Sequence, residues 1–175
     1  MKKVICIFVL LFVGFTAVNA QGYHKGNKDL NAGISLGLAG IYGDTSIPPI
    51  SIGFQYGIDE KISIGGILGY SSSKYGYEDW QWKYSYIVIG ARGEYHFLES
   101  SNKLDAYAGA TLGYNIVSVS EPSGYSVYGG YEAESSYMIY GIHVGARYAV
   151  SDKIGVFGEL GYGIGYLTVG ASFRL

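Results

Sequence analysis

A two-residue alternation of apolar with small or polar side chains recurs from Leu30 to the last residue, and it constrains the fold of this chain more than any other feature. In the first run Leu30, Ala32, Ile34, Leu36 and Leu38 share one face, while Asn31, Gly33, Ser35, Gly37 and Ala39 share the other. A period of two is the signature of a strand, because successive side chains point to opposite sides of the pleat. The pattern returns in seven further segments, Ile50 to Ile58, Ile62 to Tyr70, Ile87 to Phe97, Leu104 to Ile116, Met138 to Val150, Ile154 to Tyr162 and Leu167 to Leu175. No stretch after residue 20 sustains helical spacing, and 28 Gly and 19 Tyr against 3 Pro suit strands and turns. The expectation is an all-β fold of eight antiparallel strands.

An internal repeat fixes the pairing of some strands. Ile52 to Tyr70 aligns without a gap to Val144 to Tyr162, with Gly53/Gly145, Tyr56/Tyr148, Lys61/Lys153, Gly66/Gly158, Leu68/Leu160 and Tyr70/Tyr162 identical. Each copy reads as one hairpin. Paired residues must share a face, so Ile58 with Ile62, and Val150 with Ile154, each imply a three-residue loop. A looser third copy, from Ile89 through Leu104 to Tyr114, calls for an even loop, and the six residues Leu98 to Lys103 supply one. Short polar turns at Asp59 to Lys61, Leu98 to Lys103 and Ser151 to Lys153 therefore alternate with longer connections at Ile41 to Pro49, Ser71 to Lys83 and Val117 to Tyr137. The fourth connection on that second side, Gly163 to Tyr166, is tight.

The placement of charge decides what surrounds such a barrel. A soluble eight-stranded barrel puts polar groups outside, whereas a membrane barrel puts them inside. Here the apolar face carries no charge between its ends. The other face collects Gln55, Arg92, Glu94, His96, Asp105, Thr111, Asn115, His143, Arg147, Glu159, Thr168, Ser172 and Arg174. The apolar face also sets aromatics near strand ends, Tyr56, Tyr95, Phe97, Tyr148 and Phe173 at one boundary and Tyr42, Tyr70, Tyr114 and Tyr162 at the other, as bilayer interfaces favour. The expectation is an up-and-down transmembrane β-barrel. Its interior network of Arg92, Glu94, Asp105, His143, Arg147, Glu159 and Arg174 brings three arginines to three carboxylates, which must pair to offset desolvation. That predicts a plugged lumen. Short turns on one side and longer connections on the other place both termini in the periplasm.

Residues 1–20 read as a cleaved signal peptide: Lys2 and Lys3, an apolar run from Val4 to Phe15, and Val18-Asn19-Ala20 at the cleavage site. The alternative, one spanning helix, asks for a longer apolar run. A polar segment, 21–28, then leads into the barrel, 29–175. The single cysteine, Cys6, falls in the leader, so the exported chain has no thiol for a disulfide, a metal or catalysis. Ten basic against 14 acidic side chains remain after cleavage, a balance that gives no nucleic-acid surface. No cofactor motif is present.

At its end Thr168, Gly170, Phe173 and Leu175 resemble the C-terminal assembly signal of outer-membrane proteins, with Leu where an aromatic residue is commoner. The chain as a whole resembles small eight-stranded barrels of the OmpX and OmpA transmembrane type, and the porin-like outer-membrane β-barrel proteins of Bacteroidetes. The resemblance covers pattern and length more than motifs. It implies a Gram-negative outer membrane, contact with its lipid and lipopolysaccharide, and passage through periplasmic chaperones and the barrel-assembly machinery; with the filled lumen and the lack of a catalytic motif, the expectation is a monomeric, non-enzymatic, structural role.

Three other functions stay open. Small outer-membrane barrels that modify lipid A need a catalytic His with Ser or Asp; His143 and His96 lie on the inner face, but neither has a nucleophile in a sequence motif, and placement in the interior network is the expectation. A binding role would use Tyr75, Tyr77, Trp80 and Trp82 in one connection and Tyr125, Tyr128, Tyr131 and Tyr137 in another; the alternative is that these aromatics sit at the lipopolysaccharide boundary or extend the strands as a protruding sheet. A small-solute pore would need a hydrated lumen. His24 reads as solvated.

Overall fold

The computed structural model describes residues 23–37, 44–77, 80–98, 103–120, 132–162 and 165–175. Residues 1–20, read as a signal peptide, lie outside the described residues, as do Tyr42, Tyr125, Tyr128, Tyr131 and the side chains of Tyr77 and Trp80. The strands are β1 (Lys28–Leu36), β2 (Asp44–Gly57), β3 (Ile62–Tyr77), β4 (Trp80–His96), β5 (Leu104–Ser120), β6 (Glu132–Ala149), β7 (Ile154–Tyr162) and β8 (Leu167–Arg174). Each pairs antiparallel with its sequence neighbours, and β8 pairs with β1 to close a barrel. Closure satisfies the backbone groups that an open sheet would leave at its edges.

The repeat determines register as the sequence implies. Gly57 faces Ser63 in the first hairpin and Ala149 faces Gly155 in the second, equivalent positions of the two copies. The Ile58 and Val150 amides each donate to the carbonyl across the turn, at 3.0 and 2.8 Å. The third hairpin differs. Phe97 pairs with Ala106 rather than Leu104, its amide donating to that carbonyl at 2.8 Å, so the connection is two residues longer and both faces are preserved. Amide-to-carbonyl bonds from His96 to Lys61, Ala149 to Lys103, Arg174 to Lys153 and Leu175 to Lys28 then stitch neighbouring hairpins together at the end that carries both termini, the near end.

The far end corrects the sequence-based boundaries. Ser71 to Lys83 is almost wholly strand: β3 and β4 pair up to Tyr77 and Trp80, and β5 and β6 pair up to Ser120 and Glu132. The signal was present, since Trp80, Trp82, Tyr84 and Tyr86 alternate with Gln81, Lys83 and Ser85 in phase with the inner face of β4. The pattern reads as a loop because there Trp82, Tyr84 and Tyr86 lie on the inner face and Lys83 and Ser85 on the outer, opposite to the section nearer the termini. In contrast β1 stops at Leu36, where Gly37 takes a left-handed φ of 72° and turns the chain against the Tyr166 ring. Leu38 and Ala39, read into the same run, lie outside the described residues. Pro48 and Pro49 cannot donate to a ladder, and the β2–β3 register shifts between Thr45 and Ile47 and again between Ile47 and Ile50. The result is a lopsided barrel in which β3 to β6 rise past β1, β7 and β8.

The outer surface is apolar by rows. Across β3 to β6 the paired residues Tyr70, Ile87, Ile116 and Ser136 form one row, followed downward by Leu68, Ile89, Tyr114 and Met138, then Gly66, Ala91, Leu112 and Tyr140, then Ile64, Gly93, Ala110 and Ile142. Ile142 is 68 % exposed and Leu160 60 %. The inner face is not uniformly polar. Ile67, Val88, Ile139 and Phe157 are buried inside, and Tyr86 packs with Val117 toward the far mouth.

Glycines let the inner layer fit. A Cβ on Gly170 would strike the Ala32 carbonyl oxygen and the Phe157 ring, while one on Gly93 would point outward into open space. Gly170→Ala should cost about 1–3 kcal/mol through overpacking, whereas Gly93→Ala should stay within about 0.5 kcal/mol of the parent. Urea unfolding of the two refolded variants side by side measures the difference.

Candidate functional site

The interior is the site with the most chemistry. Alternation turns Arg92, Glu94 and His96 on β4, Asp105, Tyr107 and Thr111 on β5, His143 and Arg147 on β6, Glu159 on β7 and Thr168 and Arg174 on β8 into one lumen. Most are fully buried; His143 and Arg174 are half-buried. Two clusters form at different heights.

Arg92 is the hub of the upper cluster. Its Nη2 lies 3.1 Å from Glu159 Oε2, 3.2 Å from Glu94 Oε1 and 2.6 Å from His143 Nε2. The Tyr107 hydroxyl donates to Glu159 Oε1 at 2.9 Å, and Glu94 Oε1 stands 3.4 Å from His143 Nε2. Glu94, His143 and Glu159 have donor atoms within 4.8 Å of one another, a set that could hold a divalent cation. The Arg92 guanidinium, in contact with all three, already sits where such an ion would bind. Above it Asn31, Ser51, Arg92, Thr111, His143 and Glu159 line a cavity of about 30 Å3, room for one or two water molecules.

The lower cluster turns on a residue that the sequence did not single out. Asp29, fully buried on β1, accepts from Arg147 Nη1 at 3.0 Å and from Arg174 Nε at 3.1 Å. Asp105 Oδ2 is 3.6 Å from the same Arg147 nitrogen. Three arginines thus meet four carboxylates rather than three. Arg147 also stacks over the Tyr107 ring, its Cζ 5.4 Å from the centroid. Tyr107 itself is an inward residue in a face otherwise read as polar, and its phenol joins the two clusters.

The near mouth is covered by the segment preceding β1. Tyr23, fully buried, lies parallel to His96 with ring centroids 3.5 Å apart, and its hydroxyl donates to the carbonyls of Asp59 at 3.0 Å and Ile62 at 2.5 Å. Burial first, then the Asp105 and Asp29 carboxylates, push that phenol above its ordinary pKa, so it stays a donor. Bonds from the Gly26 amide to the Gly57 carbonyl and from the Gly57 amide to the Asn27 carbonyl, both 2.9 Å, hold this strap down. The sequence shows 21–28 as a polar lead-in; from Tyr23 onward it is a cap. Tyr23 and Asn27 are its buried residues; Lys25 and Gly26 are exposed, and His24 is half-buried with its Nδ1 2.9 Å from the Lys25 carbonyl.

The remaining singled-out residues fall as follows. Tyr56, Tyr70, Tyr95, Phe97, Tyr114, Tyr148, Tyr162 and Phe173 all stand on the outer face. Thr168 points inward and shares a 2.7 Å hydrogen bond with Ser35; Gly170 pairs with Gly33, Phe173 pairs with Leu30, and the Leu175 amide reaches the Lys28 carbonyl. Trp82 is paired with Tyr75 in the sheet rather than carried on a loop.

A closed eight-stranded barrel with an apolar belt outside and paired charges inside has the architecture of the small outer-membrane barrels. Solved structures agree on that fold. The N-terminal β-barrel domain of Pseudomonas aeruginosa OprF matches with a TM-score of 0.59 at 12% identity, over 87% of this chain and 100% of that one. Ail, the attachment invasion locus protein of Yersinia pestis, solved with the heparin analogue sucrose octasulfate, matches with a TM-score of 0.56 at 12% identity, over 86% and 99%. Neisserial surface protein A matches with a TM-score of 0.50 at 18% identity, over 85% and 94%. No family model and no curated protein matches the sequence.

Replacing Arg92 by Ala removes the shared partner of Glu94 and Glu159 without filling the space. The expected loss is about 3–5 kcal/mol, read as a lowered urea midpoint of the refolded barrel.

Proposed function

We propose that this chain is a non-catalytic, non-conducting barrel of a Gram-negative outer membrane, monomeric, with the near end and both termini in the periplasm. One observation carries the reading: a belt without charge surrounds an interior filled with paired charge. Between the rows of Tyr70 and Ile62 the outer face of β3 to β6 bears no Asp, Glu, Lys or Arg. Nine residues of β3 span roughly 27 Å, or about 21 Å at a 40° tilt, close to the roughly 25 Å apolar band of such barrels. Tyr70, Tyr114 and Tyr162 then face the lipopolysaccharide boundary, and Tyr56, Tyr95, Phe97, Tyr148 and Phe173 the periplasmic one. Thr168, Gly170, Phe173 and Leu175 serve as the signal read by the barrel-assembly machinery after delivery by periplasmic chaperones. No cofactor is needed.

The interior argues for structure rather than flow. Arg92 with its two Glu partners bars the middle, Asp29 with two arginines bars the lower third, and the Tyr23 strap covers the near mouth. With the strap in place Ser63 and His96 at the near mouth have no solvent exposure. Planar bilayers holding the refolded protein should show no steady, resolved openings; a reproducible unitary conductance would overturn the plug. Envelope fractionation with heat-modifiable gel mobility should place the chain in the outer membrane, and soluble periplasmic behaviour would overturn the barrel's location.

A second reading, binding through the far end, is favoured by one feature. The β6–β7 ladder ends at Ile142 and Tyr162, so Glu132 to Gly141 of β6 has β5 on one side and no strand among the described residues on the other. Such an edge can accept an added strand. Ail carries an attachment and invasion name and was solved with a heparin analogue, which fits a surface role for this fold. Deleting Val117 to Tyr137, which takes away much of that edge, should abolish cell or glycan adhesion while heat-modifiability is retained. Adhesion that survives the deletion removes this reading.

A further inference from the structure

At the near end, three residues from three strands form a hydrogen-bonded series. Ser63 Oγ on β3 is 3.0 Å from His96 Nε2 on β4, and His96 Nδ1 is 2.8 Å from Asp105 Oδ1 on β5. Ser63 and His96 have no solvent exposure and Asp105 has 4 %. A carboxylate only accepts, so the Nδ1 proton belongs to His96, and in the neutral ring Nε2 is left to accept from the serine hydroxyl. That is the order, tautomer and spacing by which a serine is made nucleophilic. Sequence spacing could not reveal it, because the three residues come from three strands.

We propose that Ser63 is a nucleophile masked by the N-terminal strap, competent toward small acyl esters and related electrophiles once the strap is displaced. This goes beyond the proposed function, which concerns the capped barrel. The Tyr23 ring stacks on His96 and sends its hydroxyl to the Ile62 carbonyl, the residue next to Ser63. It therefore fills the space an incoming acyl group needs. In the uncapped barrel, Ser63 Oγ forms the new bond to the acyl carbon while its proton passes to His96 Nε2. The C–O bond to the leaving group breaks, and His96 returns the proton to the departing alkoxide. Water then releases the acid by the reverse use of His96.

Gly57 points to the strap as a separable device. A Cβ there would meet the His24 carbonyl oxygen at 2.7 Å and the Tyr23 hydroxyl at 2.9 Å. Its equivalent in the second repeat copy is Ala149, in a hairpin of the same register. The hairpin accepts Ala at this position, and it is the strap that demands glycine. Gly57→Ala thus lifts the strap at a position that pairs with Ser63 but contributes no side-chain atom to the relay, and its three nearest clashes are all with the strap. Glu94 Oε2, 3.5 Å from Ser63 Oγ, is a second and longer acceptor for the serine proton beside His96 Nε2 at 3.0 Å, and its charge opposes negative charge at the nucleophile, so the uncapped reaction is slower than in a site with donors placed there.

The test uses the full mature chain, refolded in detergent and checked by heat-modifiable mobility, with a fluorophosphonate as probe. Ser63 attacks phosphorus and fluoride leaves, so mass spectrometry reads the adduct on Ser63. Tyr23→Ala and Gly57→Ala should both label Ser63, about a hundredfold faster than the capped parent and than the same variants carrying His96→Gln. Glu94→Gln added to Gly57→Ala should speed labelling further. Folded Gly57→Ala or Tyr23→Ala protein that leaves Ser63 unlabelled, or labels it independently of His96, overturns the proposal. The two uncapping routes keep the test open if either variant fails to fold.

Discussion

Charge inside a tube narrow enough to be filled by its own side chains must find its partner inside that tube, and much of this structure follows from that requirement. Once β-strands close with an apolar face outward, the Arg and Glu side chains on the other face lose most or all of their contact with bulk water and counterions. Arg92 answers by holding Glu94 and Glu159 together, and Asp29 by holding Arg147 and Arg174. These pairs are not sources of net stability so much as conditions for the barrel to exist, since either partner left alone is far costlier than the pair. The glycines follow from the same packing: a Cβ on Gly145 would run into the Tyr107 ring and the Glu159 side chain that bring the clusters together.

Most of the barrel was legible because its determinants are local. Alternation assigns faces, and the 52–70 and 144–162 copies assign register, down to the pairing of Ile58 with Ile62 and Val150 with Ile154. What failed was local in a different way. The far ends of β3 to β6 keep the period of two but exchange the chemistry of the faces as the sheet leaves the apolar belt, so Trp82 reads as a loop aromatic when it continues the inner face of β4.

The interior was legible in content and not in connection. Alternation says that Arg92 and Glu159 face the same lumen; it cannot say that Arg92 meets two carboxylates while Arg174 meets a third. Asp29 escaped notice because it sits at the first turn into β1, one residue ahead of the apolar run that marks the strand. Tyr23 escaped for a related reason, since a cap of a few residues is too short to show any period. The Ser63–His96–Asp105 series has no sequence signature at all, its spacing being set by the barrel and not by the chain.

The closure of β8 on β1 also governs how such a chain comes to be made. Asp29 receives Arg147 from the sixth strand and Arg174 from the eighth, residues 118 and 145 positions later. A nascent barrel that inserted early would carry that carboxylate into lipid with its partners still to come. In an outer-membrane barrel such interior charges would penalise any intermediate that enters the bilayer before the last strand is in place, a check on completeness.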